Sequence, residues 1–398
     1  MEDTILVVNC GSSSLKLALF DDRHQKIASA VAERLNQKDA FARISGDQEP
    51  LSLPAEASQE KALQTLVATF RERDLMTSAP AAIGHRVVHG GETFREAVII
   101  TDSVIGAIEQ CASLAPLHNP VNLAGIQATL ALFPGVPQTA VFDTAFHQTL
   151  PQHAFLYALP RAWYRDWGVR RYGFHGTSHG FMAGETARLL NKPLKRTSLI
   201  SAHLGNGCSI TAIRNGTSVD TSMGLTPLEG LVMGTRSGDI DPGLFEFLDS
   251  KGLSTQEIHR VLNRESGLLG LSGRTNDMRS LCKLADEGHA ASKTAIDVFC
   301  FRLARYIGAM MASLSSLDAL VFTGGIGENS TLVRQHTINH LGLLGFAVSA
   351  DSNADHGRSS QGRINSPDSR FQILVIPTDE EGVIAREAAR LAGSAGIA

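Results

Sequence analysis

The chain has 398 residues, 43% of them hydrophobic and 19% charged, with a formal net charge of −4. That balance excludes a disordered chain and leaves room for two domains of ordinary size. It also excludes a basic surface for nucleic acid as the main partner, and no run approaches the ~18 apolar residues of a membrane span. The opening MEDTILVVNCG reads as neither signal peptide nor anchor. Five scattered cysteines, Cys10, Cys111, Cys208, Cys282 and Cys300, lack a C-x-x-C pair. They read as reduced thiols of a cytoplasmic protein with no zinc site.

Strand-like and helix-like segments alternate along the chain, which predicts the α/β class. ILVVNCGSSSLKLALF, Ile5 to Phe20, is an apolar run, a Gly-Ser turn and an alternating run. Alternation is the period of a strand, so this is a β-hairpin and not a Walker A loop, which needs G-x-x-x-x-G-K-[ST] and a following helix. Glu60 to Leu75 has helical periodicity. GHRVVHGGE then runs a strand into a Gly turn, with His85, Arg86 and His89. VFDTAFH sets Asp143 at a strand end, where an acid can hold Mg²⁺, orient a nucleophile or cap the next helix.

In RRYGFHGTSH, Arg170 and Arg171 precede His175 and His179, which straddle a Gly-Thr-Ser turn. SLISAHLGNGCSITAIRNGTSVDTS, Ser198 to Ser222, repeats the opening pattern, with Gly205 in the place of Gly11 and an Asn215-Gly216 hairpin turn. Two such openings half a chain apart suggest a duplicated domain with a cleft between the copies. MGTRSGDIDPG adds Arg236, Asp239 and Asp241. Arginine's planar fork suits carboxylate or phosphate oxygens, so arginines in Gly-rich turns read as an anion clamp, with surface salt bridges as the alternative. His85, His89, His118, His147 and His179 read as hydrogen-bonded loop histidines more readily than as metal ligands.

Ser292 to Leu314 is a long helix in which Met310 and Met311 fill core. ALVFTGGIGENS, Ala319 to Ser330, is a buried strand, a Gly turn and then a helix, a layout that suits a nucleotide. Gln361 to Arg370 is the best candidate for an exposed loop. In IPTDEEGVIARE, Thr378 and Glu381 have capping-box spacing, which leaves Glu380 as the freer carboxylate for a metal; a helix follows over Glu381 to Gly393.

Taken together, NCGSSSLK, GHRVVHGGE, APLHNP, VFDTAFHQT, RRYGFHGTSH, HLGNG, DTSMGLTPLEGLVMGTRSGDIDPG, ESGLLGLSG and FTGGIGENS span essentially the whole chain in order. This series resembles the acetokinase family of short-chain acyl kinases. The resemblance implies a duplicated ribonuclease-H-like α/β fold of the actin, sugar-kinase and Hsp70 type with its active site in an interdomain cleft. It implies an N-terminal domain of residues 1–147 plus about 384–398, and a C-terminal nucleotide-binding and dimerisation domain of residues 148–383. The implied reaction is Mg²⁺-dependent, reversible, in-line phosphoryl transfer between ATP and acetate, giving ADP and acetyl phosphate, with Mn²⁺ able to replace Mg²⁺. A homodimer through the second domain is implied as well.

Residue by residue, the resemblance makes Asn9 and Glu380 the magnesium-side pair, and Ser12, Ser14 and Lys16 the first phosphate hairpin. It makes Arg86, Asp143, His175 and Arg236 catalytic, the arginines flanking the acyl and phosphoryl groups and His175 donating to the latter. His203, Leu204, Gly205, Asn206 and Gly207 match the second phosphate loop. Asp277, Met278 and Arg279, with Gly325, Ile326, Gly327, Glu328 and Asn329, match the adenosine pocket. Val88, Leu117, Phe174 and Pro227, beside Arg86, match the acyl pocket, where β-branched Val88 is expected to crowd an acid longer than acetate. Arg274 and Asn276 stand where the family usually has small residues, and Asp379 where it has Asn. The alternatives are a propionate kinase of the same family and an actin- or Hsp70-like regulatory ATPase, which would need no arginine pair. A sugar kinase would need a general base and polar sugar contacts.

Overall fold

The computed structural model describes residues 4–394. They form two compact units, one made of the residues up to Phe146 with those from Asp379 onward, the other of His147–Thr378.

The first unit is built on a sheet in the order β5-β4-β3-β2-β1-β6-β8-β7. The strands are β1 (Ile5–Cys10), β2 (Ser14–Phe20), β3 (Lys26–Glu33), β4 (Phe41–Ile44), β5 (Leu51–Ser52), β6 (Ala82–Val87), β7 (Val98–Ile99) and β8 (Gln138–Phe142). β1 runs antiparallel to β2 and parallel to β6. Its apolar run is continuous because both faces are covered, as expected for a central strand. Leu6 and Val8 pack with Leu63, Leu66 and Phe70 of the helix Gln59–Glu72. Ile5 and Val7 pack with Ile384, Ala385 and Ala388 of the terminal helix Glu380–Ser394. That second contact explains Gly84 on β6, because a Cβ there would lie 2.5 Å from Ile384 Cγ2.

The second unit has a sheet in the order β11-β10-β9-β12-β13. Its strands are β9 (Leu199–Leu204), β10 (Cys208–Arg214), β11 (Thr217–Thr221), β12 (Ala319–Thr323) and β13 (Gln372–Val375). β9 is antiparallel to β10 and parallel to β12; β10 is antiparallel to β11, and β12 parallel to β13. β3-β2-β1-β6-β8 of the first unit has the same pairing sense at each step. The class is therefore α/β with a duplicated ribonuclease-H-like core. Gly11 directly follows β1 and Gly205 directly follows β9, which accounts for the internal echo. Asn215 and Gly216 both have positive φ, 54° and 80°, in a two-residue turn between β10 and β11. That is the backbone twist a tight hairpin favours.

Four expectations change. Gly176 to His179 is not a turn but the start of a helix, Gly176–Leu189, and His85 lies in a strand and not a loop. Thr378 and Glu381 form no capping box: Asp379 accepts from Gly382 N, and Glu381 pairs with Lys26 at 2.6 Å. The segment Gln361 to Arg370 is only partly exposed, with Ile364 buried and Arg363 bridging to Leu374.

Candidate active site

In the first unit the hairpin turn after β1 exposes Ser12 and Lys16, with Ser14 half-buried. Gln59, at the start of its helix, donates to the carbonyls of Gly11 (3.3 Å) and Ser12 (3.1 Å) and so ties the turn down. Asn9, at the end of β1, lies opposite Lys16 in the ladder.

Arg86 ends β6 and Asp143 follows the neighbouring strand β8. Arg86 Nε donates to Asp143 Oδ1 at 2.9 Å and Nη2 to Oδ2 at 2.6 Å, a bidentate pair. The Asp143 side chain is 2% exposed and that of Arg86 24%, so the carboxylate lies beneath the guanidinium and leaves one side of it accessible. The Asp143 charge pushes the arginine pKa further up, with a smaller contribution from Glu380. Asp143 therefore positions an arginine and caps no helix. Val88 is half-buried and Leu117 is exposed.

Glu380 has a buried Oε1 with no hydrogen-bond partner. A carboxylate oxygen in that condition fits a cation ligand. Among the described residues, no group of three or more His, Cys, Asp or Glu is arranged to hold a metal. Mg²⁺ needs no such cage, since it keeps several waters and binds through one or two carboxylates plus phosphates. Asn9 and Glu380 suit that mode.

In the second unit, Gly205, Asn206 and Gly207 form the turn between β9 and β10. Asn206 O accepts from Gly234 N at 2.9 Å, and Asn276 Nδ2 donates to Asn206 Oδ1 at 2.8 Å. A Cβ at Gly207 would lie 2.6 Å from Arg236 Nη2 and 3.5 Å from His175 Nε2, so both side chains border the turn. Arg236 Nη1 donates to Pro227 O at 2.5 Å. His175 precedes its helix with φ 55°, a left-handed conformation unusual for a residue with a side chain. Phe174 beside it is buried.

Beneath His175 lies a buried polar layer. Ser201 and His203 on β9 share a face with Ser209 and Thr211 on β10, because each lies opposite its partner in the ladder. Ser209 Oγ is 2.9 Å from His175 Nδ1 and 2.8 Å from His179 Nε2. His179 Nδ1 is 2.9 Å from Ser201 Oγ, and His203 Nδ1 is 2.9 Å from Ser178 Oγ. The rings of His175 and His203 lie 4.4 Å apart, and burial pushes the His179 pKa well below its ordinary value, helped by His147 and His203.

A cavity of about 730 Å³ opens beside this layer of the second unit. Gly205, Asn206, Asp277, Met278, Arg279, Gly325, Ile326 and Asn329 line it, bringing three separate sequence motifs together. Leu204, Gly327 and Glu328 do not line it; Leu204 is buried, and Glu328 Oε1 accepts from Gly324 N (2.8 Å) and Thr378 N (3.0 Å). Asn276, Cys282, Ser330, Thr331 and Leu332 also line it and were not anticipated as lining. Ser330 caps the helix Thr331–Asn339, a signal that the sequence does carry.

The acetokinase family model matches residues 4–386. An acetate kinase of Chromobacterium violaceum is 50% identical, over 99% of this chain and 100% of its own. An acetate kinase of Deinococcus radiodurans is 51% identical over 99% of both chains. Among solved structures, a propionate kinase from Francisella tularensis is 43% identical with a TM-score of 0.92, covering 98% of this chain and 100% of that one. A Porphyromonas gingivalis acetate kinase is 39% identical with a TM-score of 0.91, over 98% and 99%. With a match that runs the length of both units, the chain belongs to the acetokinase family.

Proposed function

We propose that the protein transfers the γ-phosphoryl group of ATP to acetate, forming acetyl phosphate and ADP reversibly. The observation that carries this reading is the Arg86–Asp143 pair: a buried acid holds an arginine fork with one side accessible, as recognition of a carboxylate and a phosphoryl group demands. Acetate is ionised at neutral pH, since carboxyl pKa values lie near ~4, so no general base is required. Asp143 orients Arg86 in this mechanism and takes no proton. Phosphoryl transfer is dominated by positioning and charge stabilisation. Arg86 holds the acyl carboxylate, Arg236 the transferring group, and His175 donates a hydrogen bond to it. Asn9 and Glu380 hold Mg²⁺, which neutralises phosphate charge when bound; Mn²⁺ serves in its place.

The 730 Å³ cavity accepts the adenosine, and the turns at Ser12 to Ser14 and Gly205 to Gly207 take the phosphates. Val88, Leu117, Phe174 and Pro227 bound the acyl group. Asp379 serves as a helix cap, which favours the helix-terminus role of that acid over a role at the metal. The protein acts in the cytoplasm as a homodimer through its second unit; among the described residues, no helix is long and apolar enough to cross a membrane.

The test is acyl phosphate formation with Mg²⁺, ATP and acetate, propionate or butyrate, trapped as the hydroxamate. We expect the highest kcat/KM with acetate and a lower value with propionate, one methylene being worth about 1–3 kcal/mol. A preference for propionate would overturn the Val88 argument but keep the transfer. ATP hydrolysis with no hydroxamate from any acid would overturn the transfer itself.

A further inference from the structure

We propose that Asn122 is a specificity-determining residue whose buried amide fixes the backbone of Val88, and with it the wall that crowds an acid longer than acetate. The inference rests on the proposed transfer to acetate and on the place of Val88 in the acyl pocket. Asn122 acts through Val88 and is a positioning residue.

The parallel pairing of β1 with β6 runs from Ile5 and Ala82 to Val8 and His85. Beyond it, Cys10 ends β1 and Val88 follows β6. Between these strand ends Asn122 takes the place of a ladder rung. Its Nδ2 donates to Cys10 O at 2.9 Å, and its Oδ1 accepts from Val88 N at 3.0 Å. Both partners are backbone groups of fixed polarity, so one orientation of the amide satisfies them. In open α/β sheets ligands bind beyond the carboxyl ends of the strands, which is where this bridge lies. The helix Asn119–Leu132 brings the amide there, and Gly125 on the same face lets it come close: a Cβ at Gly125 would lie 2.3 Å from Cys10 Sγ. Asn119, one turn earlier, accepts from His89 N at 3.1 Å and donates to His89 O at 2.9 Å. One helix face thus holds Val88 and His89 by their backbone.

Val88 is β-branched and half-buried, so its side chain has little rotamer freedom of its own. It retreats from a longer acid only if its backbone moves. Asn122 is buried, and letting go of Val88 N would leave its Oδ1 without that donor, which is costly in a buried place. The methylene that separates propionate from acetate is worth roughly 10- to 200-fold in discrimination, and only while the wall stays in place. The other end of the amide holds Cys10 O, next to Asn9 on the metal side. Losing that contact would lower activity with both acids alike, so the ratio of the two acids isolates the Val88 end.

The experiment measures kcat/KM for acetate and for propionate by hydroxamate trapping, in the full-length protein and its variants, with the thermal midpoint of each. Asn122→Ala should raise the propionate-to-acetate ratio roughly 3- to 10-fold, a part of what one methylene commands. Asn122→Ser keeps a polar group but is too short to bridge both strands. It should move the ratio the same way, and it carries the test if Asn122→Ala does not fold. Asn122→Asp keeps an acceptor for Val88 N and should leave the ratio near the wild-type value. If it moves the ratio as far as Asn122→Ser does, the effect comes from the Cys10 side and the route through Val88 is overturned. Val88→Ala should raise the ratio by itself, and Asn122→Ser should add little in that background, because both act through one wall. Equal losses with both acids in the Asn122 variants, with the ratio unmoved, would make the amide merely structural and overturn the inference while the transfer to acetate stands. A wild type that forms no acyl phosphate would overturn the transfer and the inference together.

Discussion

Asp143 shows how a net-acidic chain holds a cation in place for use. Its side chain is 2% exposed, and both of its oxygens accept from Arg86. A buried acid is costly unless paired, and a guanidinium is held best by a bidentate partner. The pair therefore locks the arginine's rotamer. Asp143→Asn retains the shape but loses the charge and one acceptor. We expect kcat to fall roughly 10- to 100-fold, the equivalent of a charged hydrogen bond at about 1.5–3 kcal/mol, with KM for ATP nearly unchanged. A pH–rate profile for the wild type should have no limb that this substitution abolishes. Such a limb would make Asp143 a proton acceptor and sink the orienting role.

Strand β6 carries three consecutive residues with separate surroundings: Gly84 admits the terminal helix, His85 is buried in the sheet, and Arg86 pairs with Asp143. His85 Nε2 lies 2.8 Å from Gln138 Oε1, and burial drags its pKa from 6.5 to about 4. The unfolded chain therefore takes up a proton below about pH 6.5 while the folded one does not until near pH 4. Stability should fall as pH falls through that window, by up to about 3 kcal/mol if nothing else titrates. His179, displaced the same way, adds in the same sense. Measured as the urea midpoint between pH 6.5 and 5, the loss should be smaller in His85→Gln than in the wild type. An equal loss in both would show that His85 is not its source. Elements such as these were legible where the signal is local. Asn215-Gly216 announced a turn because only its own backbone had to comply. The capping box failed because distant groups outbid it: Lys26 takes Glu381, and Thr378 Oγ1 lies 3.0 Å from Ser178 Oγ. Gly176 to His179 read as a turn because Gly, Thr and Ser are turn residues, yet burial of Ser178 and His179 against β9 makes them helix. The polar layer under His175 was hidden for the same reason, since Ser209 gains meaning only when β9 and β10 pair.

At the scale of the molecule, the duplication was visible in the alignment of Gly11 with Gly205, and five strands of the first sheet repeat the pairing of the second. What the repeat does not carry is the division of labour. Arg86 and Asp143 belong to the first unit, whereas Arg236 and His175 belong to the second. Each unit's arginine is held by its own neighbours, Asp143 in one and Pro227 O in the other. If both act on one transition state, they are energetically coupled although neither is the other's partner in the fold. Arg86→Ala and Arg236→Ala should each lower kcat by roughly 10²–10³-fold, the loss typical of one charge-stabilising donor. Groups that work as a unit are strongly non-additive, so the double variant should lose much less than the product of the two. Steady-state kinetics with saturating ATP and acetate on all four proteins decides it. Losses that multiply would mean that the two arginines serve separate steps, such as acetate binding and nucleotide binding, and the shared transition state would have to be abandoned.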